Sequence, residues 1–430
     1  MGRNWLDVLY DGWRNFFVNM VFEKEETCKD ISFSEKVIQE IKMKFPGIFD
    51  RSLEEPMEGF EAEIHLRDDA RPIFFKAYDV PFKLREKVGT ELDRLEKENI
   101  IKPIKFSEWA SPMVIVPKTN GDIRICTDCK VTINKVISTE HYPLPNINDM
   151  LSQLGGYEWY AKCDLTGAYQ QLRVAEKSKQ FLTINTIKGL YQYQRLPFGV
   201  SSAASTFQRV MDTILMGFKG VQCFLDDILV GGKTLEELRM KLLQVFERLQ
   251  KHKIKVNFEK CEFFVNQVKY LGHEVSVEGI RPCKDKVKAI LQLPTPQNVT
   301  QLKSFLGMLN YYSKFVPQIA GKLRIFYDLL MKGVDYKWSK ECGKTFEICK
   351  KLLLENNLLH HYDASKPIVI LCDACSYGVG AVLCNFVDGE EKPVFFVSST
   401  LSRAEQNYPN LHREALAMVF AATKFHKYIY

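Results

Sequence analysis

Residues 224–230 read FLDDILV, with Asp226 and Asp227 side by side inside an apolar run. Adjacent carboxylates repel, and a half-buried strand ordinarily alternates apolar with polar residues. The stretch therefore calls for a nearby cation. A hairpin accounts for it geometrically: Val221 to Phe224 rises, the acids sit near the turn, and Ile228 to Val230 returns. Consecutive strand side chains face opposite sides, so at most one acid of the pair reaches a given ligand directly, and another carboxylate has to come from elsewhere. The segment AKCDLTGAYQQLRV (161–174) supplies one, because Asp164 ends a short apolar strand and is followed by Gly167 and Tyr169. Carboxylates hold Mg²⁺ when substrate phosphates complete its octahedron. Two such ions about 4 Å apart clamp the attacking and leaving oxygens of an in-line phosphoryl transfer. A solvated turn bearing two aspartates is the competing explanation, and the pair alone does not decide between them.

Composition sets the frame around this stretch. At 430 residues the chain has room for about three domains. The excess of 59 Lys+Arg over 53 Asp+Glu gives +6, which permits a polyanionic partner without requiring one. Twelve cysteines lie scattered without a dense framework, and no signal peptide opens the chain, so the expectation is a reduced, intracellular setting, cytoplasmic particle or nucleus, rather than secretion. Cys126 and Cys129, and Cys372 and Cys375, form C-x-x-C pairs, but they are far apart and lack flanking histidines; packed thiols are expected there rather than zinc. No apolar run reaches the roughly 18 residues of a membrane span, and MGRNWL lacks the Ser/Thr of a myristoylation signal.

Along the chain, residues 1–75 read as irregular, punctuated by Pro46, Pro56 and Pro72. A helix follows over 80–101, with Leu84, Val88, Leu92 and Leu95 on one face. ASPMVIVPKTNGDIRICTD reads as a hairpin turning at Asn120-Gly121. A basic helical stretch, RLQKHKIKVNFEK (248–260), sets Arg248, Lys251, Lys253, Lys255 and Lys260 against Glu259. Pro294 and Pro296 mark a boundary, and Leu302, Phe305, Leu306 and Leu309 form a helical stripe after it. From residue 366, three strands (IVILCDA, AVLCNF, KPVFFVSS) precede a last helix, LHREALAMVFAATKF.

The ordered set D-L-x-x-A-Y (164–169), L-P-F-G (196–199), F-L-D-D (224–227) and Y-L-G-H (270–273) resembles reverse transcriptases, specifically the Pol polyprotein of gypsy-type LTR retrotransposons. HYPLPNINDML, SFLGMLNYYSKFVP and CDACSYGVGAVL are also similar to segments of that family, and GRNWL resembles the stretch that follows its protease. The resemblance covers nearly the whole chain. It implies an α+β right-hand polymerase of fingers, palm and thumb, with a connection and an incomplete RNase H-like α/β domain. The implied divisions are 1–75 as a linker after a missing protease, 76–277 as fingers and palm, 278–365 as thumb and connection, and 366–430 as the N-terminal part of the RNase H-like domain.

Carried over residue by residue, Asp164 and Asp226 resemble the main metal ligands, with Asp227 the second acid of the pair, for two Mg²⁺ ions or Mn²⁺ in their place. Lys118 and Arg124 match the cations that grip the incoming triphosphate, as a leaving pyrophosphate requires. Asp128 and Lys130 match a supporting pair nearby. Tyr169 resembles the aromatic that lies against the sugar and blocks a 2′-hydroxyl, and Phe198 sits where the family lines its nucleotide pocket. Tyr270, Leu271, Gly272 and His273 resemble the hairpin that positions the primer end, and the basic stretch falls where phosphate contacts would make affinity salt-dependent. The implied partners are an RNA template, a DNA primer and dNTPs, with no membrane. Phe224 departs from the family's usual Tyr, Ala204 from its Pro and Cys129 from its Tyr; none of these removes a catalytic group.

In the last region Asp373 and Glu414 match the first two of four RNase H acids. No Asp or Glu follows Glu414, so the expectation is a fragment of a longer polyprotein without RNase H activity, in which strand IVILCDA presents an unpaired apolar edge. Two readings stand: an RNA-directed DNA polymerase, or a decayed or domesticated element product that binds nucleic acid without catalysis.

Overall fold

The structure, a computed structural model, describes residues 33–118, 121–138, 142–354 and 358–430. The expected protease-proximal stretch at 1–32 and the Asn120 half of the hairpin turn lie outside the described residues. The chain divides into two compact units, one drawn from Met1–Pro145 and Trp159–Val265, the other from Asn146–Glu158 and Asn266–Tyr430.

Among the described residues, the first in this unit form a helix over 33–44, where an irregular segment was expected. The missed signal is the spacing of Val37, Ile41, Phe45 and Ile48, all buried in the unit's core against residues such as Phe246. The helix Phe82–Lys97 buries Val88, Leu92 and Leu95, as its pattern predicts. A five-stranded sheet runs in the order Ile101–Ile104, Gly189–Tyr193, Thr183–Thr186, Ser111–Pro117, Ile123–Thr127. A four-stranded antiparallel sheet runs Glu262–Val265, Trp159–Asp164, Asp227–Gly232, Val221–Phe224. Its two middle strands are the most deeply buried: Tyr160, Ala161, Cys163, Ile228, Leu229 and Val230 have no solvent exposure. Helices Ala203–Ile214 and Leu235–Lys251 bury apolar stripes in the same core.

The expected basic helix over 248–260 is not one element. The helix stops at Lys251, Lys253 takes a positive φ of 57°, and a 3₁₀ turn occupies Phe258–Lys260. Ile254 and Val256, fully buried, force the chain off the helical path and into the core.

The second unit opens with Gln267–Tyr270, His273–Ser276 and Gly279–Pro282, a three-stranded antiparallel meander. These strands pair with one another and lie within the second compact unit. The helix Val299–Tyr311 buries Leu302, Phe305, Leu306 and Leu309, the stripe read from the sequence. A second three-stranded sheet, Ile368–Ala374, Gly378–Val387 and Glu390–Thr400, takes the helix Asn410–Ile429 on one face through Leu383, Val394, Ala421 and Phe425. Ile368–Ala374 is an edge strand of that sheet, and Leu371 is 46% exposed.

One buried cation stands out in this unit. Lys314 is 6% exposed, donates to Asn148 Oδ1 at 2.9 Å, and lies 5.2 Å from the Phe315 ring centroid. Burial pushes its ammonium down to about 7, whereas an unfolded lysine titrates near 10.4, roughly. Between those values the unfolded chain binds a proton that the folded chain does not, so stability rises with pH across the window and levels off below it. Lys314→Met should flatten that rise, read as melting temperature from about pH 7 to about pH 9. A parent-like slope in the variant would assign the proton to another group.

Candidate active site

The site is built on one antiparallel pairing. Asp227 stands directly opposite Asp164 in the ladder between Asp227–Gly232 and Trp159–Asp164. Asp227 also pairs with Phe224, which leaves a two-residue turn of Leu225 and Asp226. Leu225 holds a φ of 54°, a conformation that costs an L-residue about 1 kcal/mol. The turn is braced by Gln208, which is fully buried on the helix Ala203–Ile214. Its Oε1 accepts the Leu225 N–H at 2.7 Å, and its Nε2 donates to the Cys223 carbonyl and to Asp212 Oδ1, both at 2.8 Å. Asp212 in turn accepts the Tyr142 hydroxyl at 2.6 Å. Sequence reading did not single out Gln208. A polar residue on the apolar face of an amphipathic helix was the available signal.

Because opposed residues in an antiparallel pair share a face, Asp164 and Asp227 point to the same side, with Asp226 exposed in the turn. Each strand acid has a lysine. Lys162 Nζ lies 3.1 Å from Asp227 Oδ2, and Lys260 Nζ lies 3.2 Å from Asp164 Oδ1. Lys162 precedes Asp164 by two positions and so shares its face. Burial lifts both carboxyls above the usual carboxylate range, the lysines pull them back, and the Asp226 charge lifts them again. The three acids are within electrostatic reach of one another and need compensating positive charge. Their donors are carboxylate oxygens, the ligand chemistry of hard divalent ions, which take one or two protein carboxylates and complete their shell with phosphate and water. No cage of three or more such ligands forms among the described residues. The donor set therefore suits an ion that shares its shell with substrate.

A run of rings leads away from the acids. Tyr169 is raised in pKa by burial and then by the Asp226 charge. Its ring lies 5.4 Å from those of Phe198 and Phe207, and the Arg124 guanidinium stands 4.9 Å from the Phe198 centroid. The structure thus brings Arg124, Phe198 and Tyr169 together. Gly199 makes this approach feasible: it has φ +109°, and a Cβ there would meet the Thr127 carbonyl oxygen at 2.1 Å. Thr127 N–H donates to the Phe198 carbonyl at 3.3 Å. Lys118 is exposed, one residue past the strand Ser111–Pro117. Asp128 accepts the Tyr78 hydroxyl at 3.0 Å.

The basic stretch is largely spoken for. Arg248 donates to the Ile214 carbonyl, Lys253 pairs with Glu55 and Glu58, Lys255 donates to the Gly47 carbonyl, and Lys260 holds Asp164. In the second unit, Tyr270 to His273 form a hairpin whose turn residues are Leu271 and Gly272. Asp373 lies near the end of its strand and accepts Gln318 Nε2 at 3.4 Å. Glu414 lies on the helix Asn410–Ile429. No hydrogen bond links these two acids, and no third ligand joins them among the described residues.

Residues 116–275 match the family model described as reverse transcriptase (RNA-dependent DNA polymerase), and residues 338–430 match that of an RNase H-like domain found in reverse transcriptase. The chain is 31% identical over 419 residues to the retrovirus-related Pol polyprotein from transposon 412 of Drosophila melanogaster, covering 92% of this chain and 34% of that protein. To the corresponding polyprotein from transposon opus it is 32% identical over 415 residues, 91% of this chain and 41% of the relative. The Tf2-3 polyprotein of Schizosaccharomyces pombe is 32% identical over 380 residues, 88% of this chain and 28% of that protein. The chain therefore spans well under half of the polyproteins it matches. Among solved structures, a foamy viral protease-reverse transcriptase in complex with double-stranded DNA superposes with a TM-score of 0.83 at 20% identity, covering 92% of this chain and 69% of that one. The same enzyme with an RNA/DNA hybrid gives 0.80 over 92% of this chain and 54% of that one. The expected α+β polymerase fold with an RNase H-like domain is the observed one.

Gln208→Leu should strand the Leu225 N–H and the Cys223 carbonyl without partners in a buried site, at a cost of about 2 kcal/mol. For a unit of this size that is a fall of about 5 °C in melting temperature. A melt unchanged from the parent would show that the turn does not depend on this side chain.

Proposed function

We propose that this chain is the polymerase segment of a gypsy-type LTR retrotransposon Pol polyprotein, an RNA-directed DNA polymerase that extends a primer on an RNA or DNA template. The observation that carries the reading is the register that sets Asp164 opposite Asp227 with Asp226 in the intervening turn, at one end of the ring series that runs to Arg124. The sequence matches and the likeness to an enzyme solved with duplex DNA and with an RNA/DNA hybrid support it.

On this reading Asp164, Asp226 and Asp227 would hold two Mg²⁺ ions, which supply Lewis-acid stabilisation to the attacking and leaving oxygens when bound. The chain's own groups do the rest. Arg124, steadied against Phe198, and the exposed Lys118 neutralise charge as pyrophosphate leaves. Tyr169, packed between Phe198 and Phe207, presents a ring that has little freedom to retreat, and so excludes a sugar bearing a 2′-hydroxyl. Lys162 and Lys260 offset part of the repulsion among the acids, pulling against the burial that raises Asp164 and Asp227. Tyr270 to His273 position the primer end.

Asp226→Asn keeps the shape of the turn and removes the charge. It should abolish dNTP incorporation on a primed RNA template while leaving template binding and melting temperature close to the parent. Activity within about tenfold of the parent, about 1.4 kcal/mol in the barrier, would sink the metal assignment. A parent chain that binds primed template yet incorporates nothing would favour a nucleic-acid-binding product instead. Tyr169→Ala should open space beside the sugar and raise rNTP use relative to dNTP, since the 2′-hydroxyl is the group that distinguishes them. An unchanged selectivity ratio in competition assays would leave Tyr169 as a packing residue.

A further inference from the structure

The hairpin Tyr270–His273 has a tip in which Leu271 fits its backbone conformation poorly. Tyr270 pairs with His273, so the turn holds only Leu271 and Gly272, with φ of 47° and 72°. Two successive positive φ values make the tight, right-twisting hairpin turn that usually recruits Asn-Gly or Gly-Gly. Leucine is a poor choice there, since a bulky side chain with positive φ is strained.

External bonds compensate, and they come from the end of the helix Val299–Tyr311 and the residue after it. The Tyr311 hydroxyl donates to the Leu271 carbonyl at 2.5 Å, and the Tyr312 hydroxyl donates to the Gly272 carbonyl at 3.0 Å. His273 Nδ1 also reaches the Leu271 carbonyl at 2.6 Å, and the Cys283 N–H donates to that of Gly272 at 3.1 Å. Both tip carbonyls are thus doubly engaged, each by one tyrosine. The His273 ring, fully buried, lies 5.3 Å from the Tyr311 ring, 5.8 Å from Tyr312 and 5.6 Å from Phe315. Its Nε2 finds no partner among the described residues, its Nδ1 faces a carbonyl oxygen and so is the nitrogen placed to donate, and burial pushes its pKa down to about 3. The fit at Gly272 is close, so that a side chain there would press on the tyrosine hydroxyls. A Cβ on Gly272 would stand 3.2 Å from the Tyr312 hydroxyl oxygen and 3.6 Å from that of Tyr311.

We propose that Tyr311 and Tyr312 are positioning residues whose two hydroxyls hold the carbonyls of Leu271 and Gly272 and so set where the 270–273 hairpin meets the end of the primer. The proposal rests on reading that hairpin as the primer-holding element. It adds the component that aims the hairpin: two phenols on a separate element, each bonded to one peptide of the turn. Neither tyrosine has to touch nucleic acid for this role. Tyr312 is 5% exposed, and its hydroxyl is already committed to Gly272.

The test uses the full chain with Tyr311→Phe, Tyr312→Phe and the double variant, which keep both rings and remove only the donors, alongside Gly272→Ala, which disturbs the tip itself. Single-nucleotide incorporation is measured on a matched primer and on one with a 3′-terminal mismatch, together with primer–template dissociation constant, dNTP KM and melting temperature. The double variant is expected to lose about tenfold in the incorporation rate constant, with primer–template affinity and dNTP KM within about twofold of the parent. Its preference for matched over mismatched ends should change as well, a readout that general loosening of the fold does not move. Gly272→Ala should reproduce these effects. Rate and end-discrimination at parent values in the double variant would overturn the proposal, and so would a rate loss matched by equal losses in affinity and melting temperature. If Gly272→Ala is impaired while the double variant is not, the hairpin reading stands and the tyrosines are excluded. If neither is impaired, both fall.

Discussion

The pairing of Trp159–Asp164 with Asp227–Gly232 is the constraint on which the candidate site depends. Asp227–Gly232 is buried almost throughout and Trp159–Asp164 buries Tyr160, Ala161 and Cys163, so register is strongly specified: a slip of one residue would turn every core side chain to the opposite face. The acids ride on that registration. Asp164 and Asp227 meet at the end of the ladder because Ile228 sits against Cys163 and Val230 against Ala161. The hydrophobic core thereby sets the spacing of the charged groups, at no cost in designed contacts between the acids themselves. Gln208 then braces the irregular Leu225-Asp226 turn from a third element.

Concentrating carboxylates at a half-buried sheet end is electrostatically unfavourable, and the local structure shows how that is managed. Burial and mutual repulsion both raise Asp164 and Asp227. Each is answered by a lysine within ion-pairing distance, one from its own sheet and one from the 3₁₀ turn at 258–260. Lys260 is 63% exposed and Lys162 only 19%, so screening by solvent weakens the first pair more than the second. The stretch that reads as a basic helix is, in the folded chain, a set of cations spent on local carbonyls and carboxylates. Phosphate contacts from this segment would have to compete with those partners.

The second unit shows the same division of labour. Its meander is short and strained at the 271–272 turn, and the helix end at Tyr311 and the buried Tyr312 supply the hydrogen bonds that the turn lacks. Lys314 bonds Asn148 from the short helix Ile147–Ser152, and Lys427 pairs with Asp149, two of the contacts that tie 146–158 to this unit although its chain neighbours on both sides belong to the other. In the C-terminal sheet, the alternating apolar residues of Gly378–Val387 and Glu390–Thr400 pack one face against the helix Asn410–Ile429. Asp373 and Glu414 lie on the elements expected of them, without a bond between them.

The sequence by itself determined the local units. The helix at 82–97, the stripe at 302–309, the paired strands around FLDD and the last three strands with their helix are legible because their signal is periodic burial, carried by residues close together in the chain. The polymerase motifs were legible for the same reason, as short strings of residues at set spacing. The helix at 33–44 carried that signal too, and its neighbouring prolines and charges obscured it. What only the tertiary structure decided are the couplings between distant segments: Asp227 opposite Asp164, Lys260 on Asp164, Gln208 under the turn, Arg124 over Phe198, and Tyr311 and Tyr312 on the 271–272 carbonyls. Each joins groups through the fold of the backbone between them, and a hydrogen-bond donor has no preferred partner in the chain until packing brings an acceptor within 3 Å or so.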